Sequence, residues 1–184
     1  GSVQPPLAIE ADRGWMLTVD HGPTVGDDHE PTLADWQAAL AETARIQQTL
    51  AGYRDELLAT GLPDTSPETV VARFDRLLEL FRALPVDHPG MIDADLSSQL
   101  MARRPELIDA CALLAEAPLP TTWQHGDLHP WNIFGTGADL RVFDLGDAQW
   151  AQAVEVLAVP YAWISQKDDA AQREDHPDLV LWPD

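Results

Sequence analysis

The order of hydrophobic and polar residues along this chain predicts a mostly helical body that carries one small β element. In three long segments, apolar residues recur at spacings of three and four, which is typical of helices with one buried face. Short segments rich in β-favouring residues lie before and after those helices, separated by polar turns. The pattern therefore predicts an α+β fold.

The three helical segments carry recognisable start signals. Thr32, with Asp35 three residues later, predicts a capping box at the start of the first helix. Ser66 and Pro67 predict the N-cap and first turn of the second. The third is expected over about 93–117, with a break before Pro105. The residues expected to face inward are Leu33, Trp36, Leu40, Ala44 and Gln47 in the first helix, Val70, Phe74, Leu77, Leu78, Phe81 and Leu84 in the second, and Leu107, Ile108, Cys111, Leu113 and Leu114 in the third.

The remaining segments are shorter. Residues 7–19 predict two strands joined by a turn, and residues 20–31 predict a connecting loop because they are rich in Gly, Pro and Asp. A last helix is expected over about 150–164, and a polar tail ending in an apolar patch at 179–182 follows it. The further β-like segments are 121–127, 132–135 and 140–144.

The length, net charge and cysteine content of the chain exclude several classes of protein. The chain has 184 residues, which suits one domain or one large lobe, and 11 Lys+Arg against 31 Asp+Glu give a formal net charge of −20. That charge argues against binding to nucleic acid, which needs basic residues to displace counterions. The single cysteine, Cys111, excludes a disulfide within the chain and CxxC metal sites. No apolar run is long enough to span a membrane and no signal peptide is evident, so we expect a cytoplasmic protein; Gly1-Ser2 has the character of a cloning scar.

The candidate chemistry lies in the segment HGDLHPWNIFGTGADLRVFDLGD, residues 125–147. If the turn is centred between Gly137 and Ala138, antiparallel partners have numbers that sum to about 275. Asn132 then lies opposite Phe143 or Asp144, close enough for both polar side chains to hold one ion. A carboxylate and an amide oxygen, with no thiolate, suit a hard cation such as Mg²⁺.

Asp127 lies five residues before Asn132, in a loop that Gly126 and Pro130 allow to fold back on the same end of the hairpin. One carboxylate free of the metal, beside two groups that hold it, is what metal-assisted displacement at phosphorus requires.

These residues also carry a resemblance. The spacing H-x-D-x-x-x-x-N from His125 to Asn132, followed by Asp144-Leu145-Gly146, resembles the aminoglycoside phosphotransferase and choline-kinase-like family of small-molecule kinases. The strong match covers about 120–148. The resemblance implies the helical C-terminal lobe of a protein-kinase-like fold, with a small β hairpin at the catalytic cleft. It also implies transfer of the ATP γ-phosphate to a hydroxyl of a small molecule.

The resemblance assigns roles by position. Asp127 would orient and deprotonate the acceptor hydroxyl, and Asn132 and Asp144 would bind Mg²⁺. His125 would brace the catalytic loop, and His129 would lie near the γ-phosphate or brace the loop. Asp147 would line the acceptor side or add charge near the metal. No residue of this chain is assigned to the nucleotide itself.

Two departures from the family pattern limit what we expect of this chain. It contains no Gly-rich loop before the motif, and its one lysine, Lys167, follows the motif. We therefore expect residues 3–31 to be hinge-side strands and linker, residues 32–184 to be the catalytic lobe, and a nucleotide-clamping small lobe to lie upstream as its partner. On its own the chain is expected to be inactive. Gln152 and Glu155 also stand where relatives often carry Asp. Whether this segment supports the catalytic loop therefore stays open.

Two other functions remain open at this point. His125, Asp127 and His129 alternate along the chain, so in an extended segment they would share a face and could hold the metal of a hydrolase. Alternatively, the chain could be a non-catalytic scaffold with a kinase-like fold. Neither the acceptor nor the oligomeric state follows from the sequence.

Overall fold

The computed structural model of the chain describes residue 3 and residues 5–135, 139–163 and 165. Its α-helices are α1 (Val25–Asp28), α2 (Leu33–Leu50), α3 (Arg54–Ala59), α4 (Pro67–Arg82), α5 (Ala94–Ala102) and α6 (Arg104–Ala115). Its strands are β1 (Ala8–Glu10), β2 (Trp15–Leu17), β3 (Thr121–Gln124), β4 (Ile133–Phe134), β5 (Arg141–Val142) and β6 (Gln149–Gln152). This mixture of helices and short antiparallel strands is compatible with the predicted α+β class. No helix in the described ranges combines the length and apolar character needed to cross a bilayer.

The predicted helix starts are confirmed. Thr32 Oγ1 accepts a hydrogen bond from the Asp35 backbone N–H at 3.3 Å, and the Thr32 N–H donates to Asp35 Oδ2 at 2.8 Å, which completes the capping box of α2. Helix α4 begins at Pro67, and α5 ends before Arg103, where the predicted break before Pro105 occurs. A side-chain cap thus marks the start of α2, whereas Ser66 occupies the N-cap position of α4 without a side-chain capping hydrogen bond.

The inward faces were predicted less well than the helix starts. Leu33 was expected to face the core but is 68% exposed, whereas Trp36 and Gln47 of the same predicted stripe are buried. In α4 only Leu78 of the predicted stripe is fully buried, and in α6 Cys111 is buried while Leu113 is exposed. Spacing identified the helices correctly, but the position of neighbouring elements decides which residues are covered.

The N-terminal hairpin agrees with the sequence, whereas the loop after it does not. Strands β1 and β2 pair antiparallel with Ile9 opposite Met16, and the connecting turn ends at Gly14. Residues 20–31, expected to be a loop, contain the short helix α1. Thr24 caps this helix by accepting a hydrogen bond from the Asp27 backbone N–H at 3.2 Å. Helix α1 was not predicted because Gly26 and the acidic residues around it favour a loop, although Thr24 is a suitable N-cap residue.

The predicted helix over 150–164 is wrong at its start. Residues 149–152 form β6, which pairs antiparallel with β3 so that Trp123 lies opposite Trp150. A 3-10 helix (Ala153–Leu157) follows, and residues 158–163 are helical. Pairing with β3 overrides the helix-like spacing in this segment. Residue 164 and the predicted tail lie outside the described residues.

Strands β4 and β5 lie between the helical body and the polar segment. Ile133 pairs with Val142, and both side chains are buried in a core that includes α2. The full buried cluster is Val25, Ala39, Ile46, Trp123, Leu128, Ile133, Leu140, Val142 and Ala148. The small hairpin is thus anchored on one face, and its other face is available for the polar groups.

Candidate active site

His125 is the buried centre of the polar segment. It follows β3 directly, is 0% exposed, and its Nε2 lies 2.8 Å from the carbonyl oxygen of Phe143. Because a carbonyl can only accept, Nε2 carries the proton, and Nδ1 accepts from the Asp127 backbone N–H at 3.4 Å. The histidine thus ties the loop of Asp127 to the residue before Asp144.

The pKa of His125 depends on its burial and on the charges of two aspartates. Burial lowers the pKa of His125, and this effect outweighs the hydrogen bond to Phe143 and the charges of Asp127 and Asp144, which raise the pKa. The ring is therefore neutral near pH 7, as its bonding pattern requires. Both carboxylates thus act electrostatically on the one buried ring.

Asn132 is held with its amide nitrogen turned toward the loop. The side chain is 5% exposed, and Nδ2 donates to the Asp127 carbonyl oxygen at 3.0 Å, with Asp127 Oδ2 at 3.5 Å. The Phe143 N–H donates to the Asn132 carbonyl oxygen at 3.2 Å, which confirms the predicted register with partner numbers summing to 275. The amide oxygen of Asn132 is the atom left to bind a cation.

Asp144 has an unusual backbone. Its φ of 56° and ψ of 73° place it in the left-handed region, and it is the single non-glycine residue with positive φ in the described part of the chain. The side chain is exposed and accepts one long hydrogen bond, from the Gly146 N–H at 3.4 Å. A strained backbone at a residue with an exposed carboxylate is typical of a functional position.

His129 contacts the other two loop residues. Its Nε2 lies 3.2 Å from Asp127 Oδ2 and 3.3 Å from Asn132 Nδ2, while its Nδ1 is buried without a hydrogen-bond partner. The side chain of Asp127 remains 41% exposed. His129 therefore holds one oxygen of Asp127 and leaves the carboxylate accessible from the solvent side. The structure brings His125, Asp127, His129 and Asn132 together, with Asp144 next to Phe143.

The backbone of Asp147 closes the loop from the opposite side. A methyl group built on Gly126, whose φ is +83°, would lie 2.1 Å from the Asp147 carbonyl oxygen. The Asp147 side chain itself is exposed, and its expected role on the acceptor side stays a prediction.

Whether Gln152 and Glu155 support the catalytic loop was left open by the sequence, and Gln152 belongs to β6 and not to a helix. Gln152 Nε2 donates to the Leu114 carbonyl oxygen at 2.5 Å, and Glu155 accepts a hydrogen bond from Gln149. Burial raises the pKa of Glu155. These residues connect β6 to α6 and to the following 3-10 helix.

The hydrolase alternative gains no support from this geometry. Both ring nitrogens of His125 are engaged inside the protein, so the ring is not available as a ligand. Among the residues that the structure describes, no group of three or more His, Cys, Asp or Glu side chains is placed to hold a metal ion. A hydrolytic zinc or iron site would need such a group.

Sequence analysis missed an aromatic surface beside the site. Phe134 and Phe143 stack with ring centroids 4.4 Å apart, and His21 lies 5.5 Å from Phe134. The register could have identified the pair, because partners summing to 275 place Asn132, Phe134 and Phe143 on one face of the hairpin, opposite the buried Ile133 and Val142.

Comparison with known families gives a match over most of the chain. The family model described as the phosphotransferase enzyme family, APH, matches residues 12–179, a range that contains every residue of the candidate site. The chain belongs to this family. APH membership confirms the resemblance seen in the motif and indicates a kinase-type enzyme, and members of the family generally use ATP and Mg²⁺. No individually curated protein matches the chain.

Proposed function

We propose that this APH-family chain is the catalytic lobe of an enzyme that transfers the γ-phosphate of ATP to a hydroxyl group of a small molecule. The observation that carries the proposal is the hydrogen-bonded set of Asp127, His129 and Asn132, together with the backbone hydrogen bond between Asn132 and Phe143, the residue before Asp144. It supplies one accessible carboxylate for proton transfer and two oxygen donors for a cation, the division of roles that phosphoryl transfer needs.

Asp127 acts as the base. Its Oδ2 is held by His129 and Asn132, so the carboxylate cannot rotate freely, and its accessible side faces an incoming hydroxyl. Asp127 takes the proton of that hydroxyl as the oxygen attacks the γ-phosphorus, and the bond to the β-phosphate oxygen breaks. Fixing the base in this way lowers the entropy cost of reaching the reactive geometry.

The donor set fits magnesium. The amide oxygen of Asn132 and the carboxylate of Asp144 are hard oxygen donors, and cysteine, the soft alternative, is absent from this part of the chain. Mg²⁺ held there would neutralise charge on the phosphates of ATP. The left-handed backbone of Asp144 presents its carboxylate outward, away from the buried strand β5.

The stacked rings of Phe134 and Phe143 supply an apolar surface for the nucleobase. They lie on the hairpin face that also carries Asn132, and both rings are only partly buried. A purine ring gains from stacking on such a surface, or from edge-to-face contact with it. The base and the triphosphate of ATP would thus lie along one face of β4 and β5.

The test uses the natural protein together with the residues that precede this chain, with ATP consumption measured over a panel of alcohols. Asp127→Asn keeps the shape of the side chain but removes the base, so we expect kcat to fall by about 10²-fold or more. Asp109→Asn, which changes an exposed aspartate of α6, is the matched control and should retain activity. Equal activity in Asp127→Asn and the unaltered protein would rule the mechanism out.

The isolated 184-residue chain is proposed to be inactive, because a kinase needs cationic and backbone groups above the phosphates and the one lysine here follows the motif. ATP-dependent phosphorylation by this chain alone, abolished by Asp127→Ala, would contradict that proposal.

A further inference from the structure

The indole of Trp131 is an exposed aromatic surface next to the proposed base. We infer that it forms one wall of the acceptor site and binds a planar aromatic part of the acceptor alcohol. This inference rests on the proposed function, since it needs the acceptor hydroxyl to approach Asp127. Trp131 would then determine specificity without taking part in the chemical step.

Trp131 lies one ring away from the base. His129 contacts Asp127 Oδ2 at 3.2 Å, and the rings of His129 and Trp131 are 5.9 Å apart at 65°, an edge-to-face arrangement. An alcohol whose hydroxyl meets Asp127 can therefore reach the indole with a substituent of ordinary size.

The indole is held in place from behind. A methyl group built on Gly26 of α1 would lie 2.7 Å from two carbon atoms of the ring, so the glycine permits the close approach of helix and indole. Trp163 packs against the same ring at a centroid distance of 5.7 Å. A fixed aromatic surface loses little entropy when a ligand stacks on it.

The exposure of Trp131 sets it apart from three other tryptophans of the chain. Trp36, Trp123 and Trp150 are at most 5% exposed, whereas Trp131 is 42% exposed although its neighbours in the loop, Pro130 and Asn132, are buried. A large apolar ring left open beside a reactive carboxylate is typical of a ligand surface.

The carboxylates around the indole already have hydrogen-bond partners. In α1, Asp27 accepts from Thr24 Oγ1 at 2.8 Å, and Asp28 contacts His29 at 3.1 Å. Asp127 itself is engaged by His129. A planar aromatic ring can stack on the indole without disturbing these contacts.

The first experiment compares naphthylmethanol with its fully hydrogenated analogue, which lacks the planar aromatic rings, in a protein that also carries the small lobe proposed to lie upstream. We expect a KM at least about fivefold lower for the planar alcohol. Trp131→Ala should remove this preference by raising the KM for naphthylmethanol, and Trp131→Phe should keep most of it. Trp15→Ala, which removes another exposed indole, from β2, is the control and should leave the preference intact.

Gly26→Ala provides a variant in which the indole itself is kept. The added methyl group must displace the ring, so the planar preference should shrink although Trp131 is unchanged. A planar preference that survives both Trp131→Ala and Gly26→Ala would overturn the inference. A preference for polyamine-bearing alcohols that is insensitive to Trp131 would do the same.

Saturation-transfer NMR on the same proteins separates this inference from the proposed function. Binding of naphthylmethanol that is lost in Trp131→Ala, without turnover of ATP in any variant, would support the aromatic wall and refute phosphotransfer. Turnover of ATP with equal binding of both alcohols to all variants would support phosphotransfer and refute the wall.

Discussion

Gly126 and Asp147 are in backbone contact: there is no room for a side chain between the α-carbon of the first and the carbonyl oxygen of the second. A methyl group on Gly126 would lie 2.1 Å from that oxygen. The contact joins the loop that carries Asp127 to the turn that begins at Asp144. The relative position of the proposed base and the proposed metal ligand therefore depends on a residue without a side chain.

The first prediction concerns Gly126→Ala. The alanine must adopt a φ of +83° and also displace the turn of Asp147, so we expect the free energy of unfolding to fall by about 2 kcal/mol or more. Gly61→Ala is the control, because Gly61 has a φ of +96° with no atom within 4 Å of the added methyl group. It should lose only the backbone part, about 1 kcal/mol. Urea denaturation measures both, and equal losses would contradict the close contact.

The second prediction concerns the capping box of α2. Thr32→Ala removes the oxygen that accepts from the Asp35 N–H, and we expect a loss of about 1 kcal/mol in the free energy of unfolding. Thr49→Ala removes an exposed hydroxyl near the end of the same helix, whose Oγ1 donates to the Arg45 carbonyl at 2.8 Å, and should change stability by less than about 0.5 kcal/mol. Indistinguishable urea midpoints for the two variants would argue against the cap.

The capping signals and the hairpin register could be predicted because both depend on neighbours close in sequence. The box of Thr32 and Asp35 closes within one turn, and the register of β4 with β5 follows from the position of a short turn. The same local order placed Asn132 beside Phe143. What the sequence predicted best about the candidate site was therefore the part built from one hairpin.

The parts that could not be predicted depend on segments distant in the chain. Strand β6 pairs with β3, so the helix-like spacing after Asp144 gives no guide to its structure. The contact of Gly26 with Trp131 joins residues about a hundred positions apart and appears in no local pattern. The cap of α1 by Thr24 was accessible in principle, but Gly26 in its first turn favoured a loop.

The third prediction concerns the pH dependence of stability at His29. Its Nε2 lies 2.9 Å from Asp35 Oδ2 and its Nδ1 lies 3.1 Å from Asp28 Oδ2, and these hydrogen bonds raise the pKa of His29 above 6.5. Burial raises the pKa of Asp35, but hydrogen bonds from Thr32 and His29 outweigh it and the pKa is lowered from 3.8. The protonated His29 and the ionised Asp35 thus coexist at pH values between the lowered pKa of Asp35 and the raised pKa of His29.

A raised histidine pKa in the folded state stabilises the fold at pH values below the unfolded pKa, and the benefit is lost as pH rises through the folded value. The Tm of the unaltered chain should therefore exceed that of His29→Gln most at about pH 5 to 6, and the difference should vanish by about pH 8. In an Asp35→Asn background the same comparison should show a smaller difference. A difference that grows with rising pH would mean that the ion pairs are absent.

The fourth prediction uses the left-handed backbone of Asp144. Because glycine adopts φ near 56° without strain, Asp144→Gly should be about 1 kcal/mol more stable to urea than Asp144→Ala. Asp144→Asn should resemble the unaltered protein, because asparagine tolerates this conformation.

All three variants lose the carboxylate proposed to hold Mg²⁺. In a protein that also carries the small lobe proposed to lie upstream, the rise in Tm that Mg²⁺ and ATP produce should therefore shrink in each of them, including the most stable one. A substitution at residue 144 would thus relieve backbone strain and at the same time weaken the response to Mg²⁺ and ATP. This is expected where a strained backbone serves a binding site. A glycine variant no more stable than the alanine variant would show that residue 144 is not left-handed in solution. An undiminished response to Mg²⁺ and ATP would remove it from the metal site.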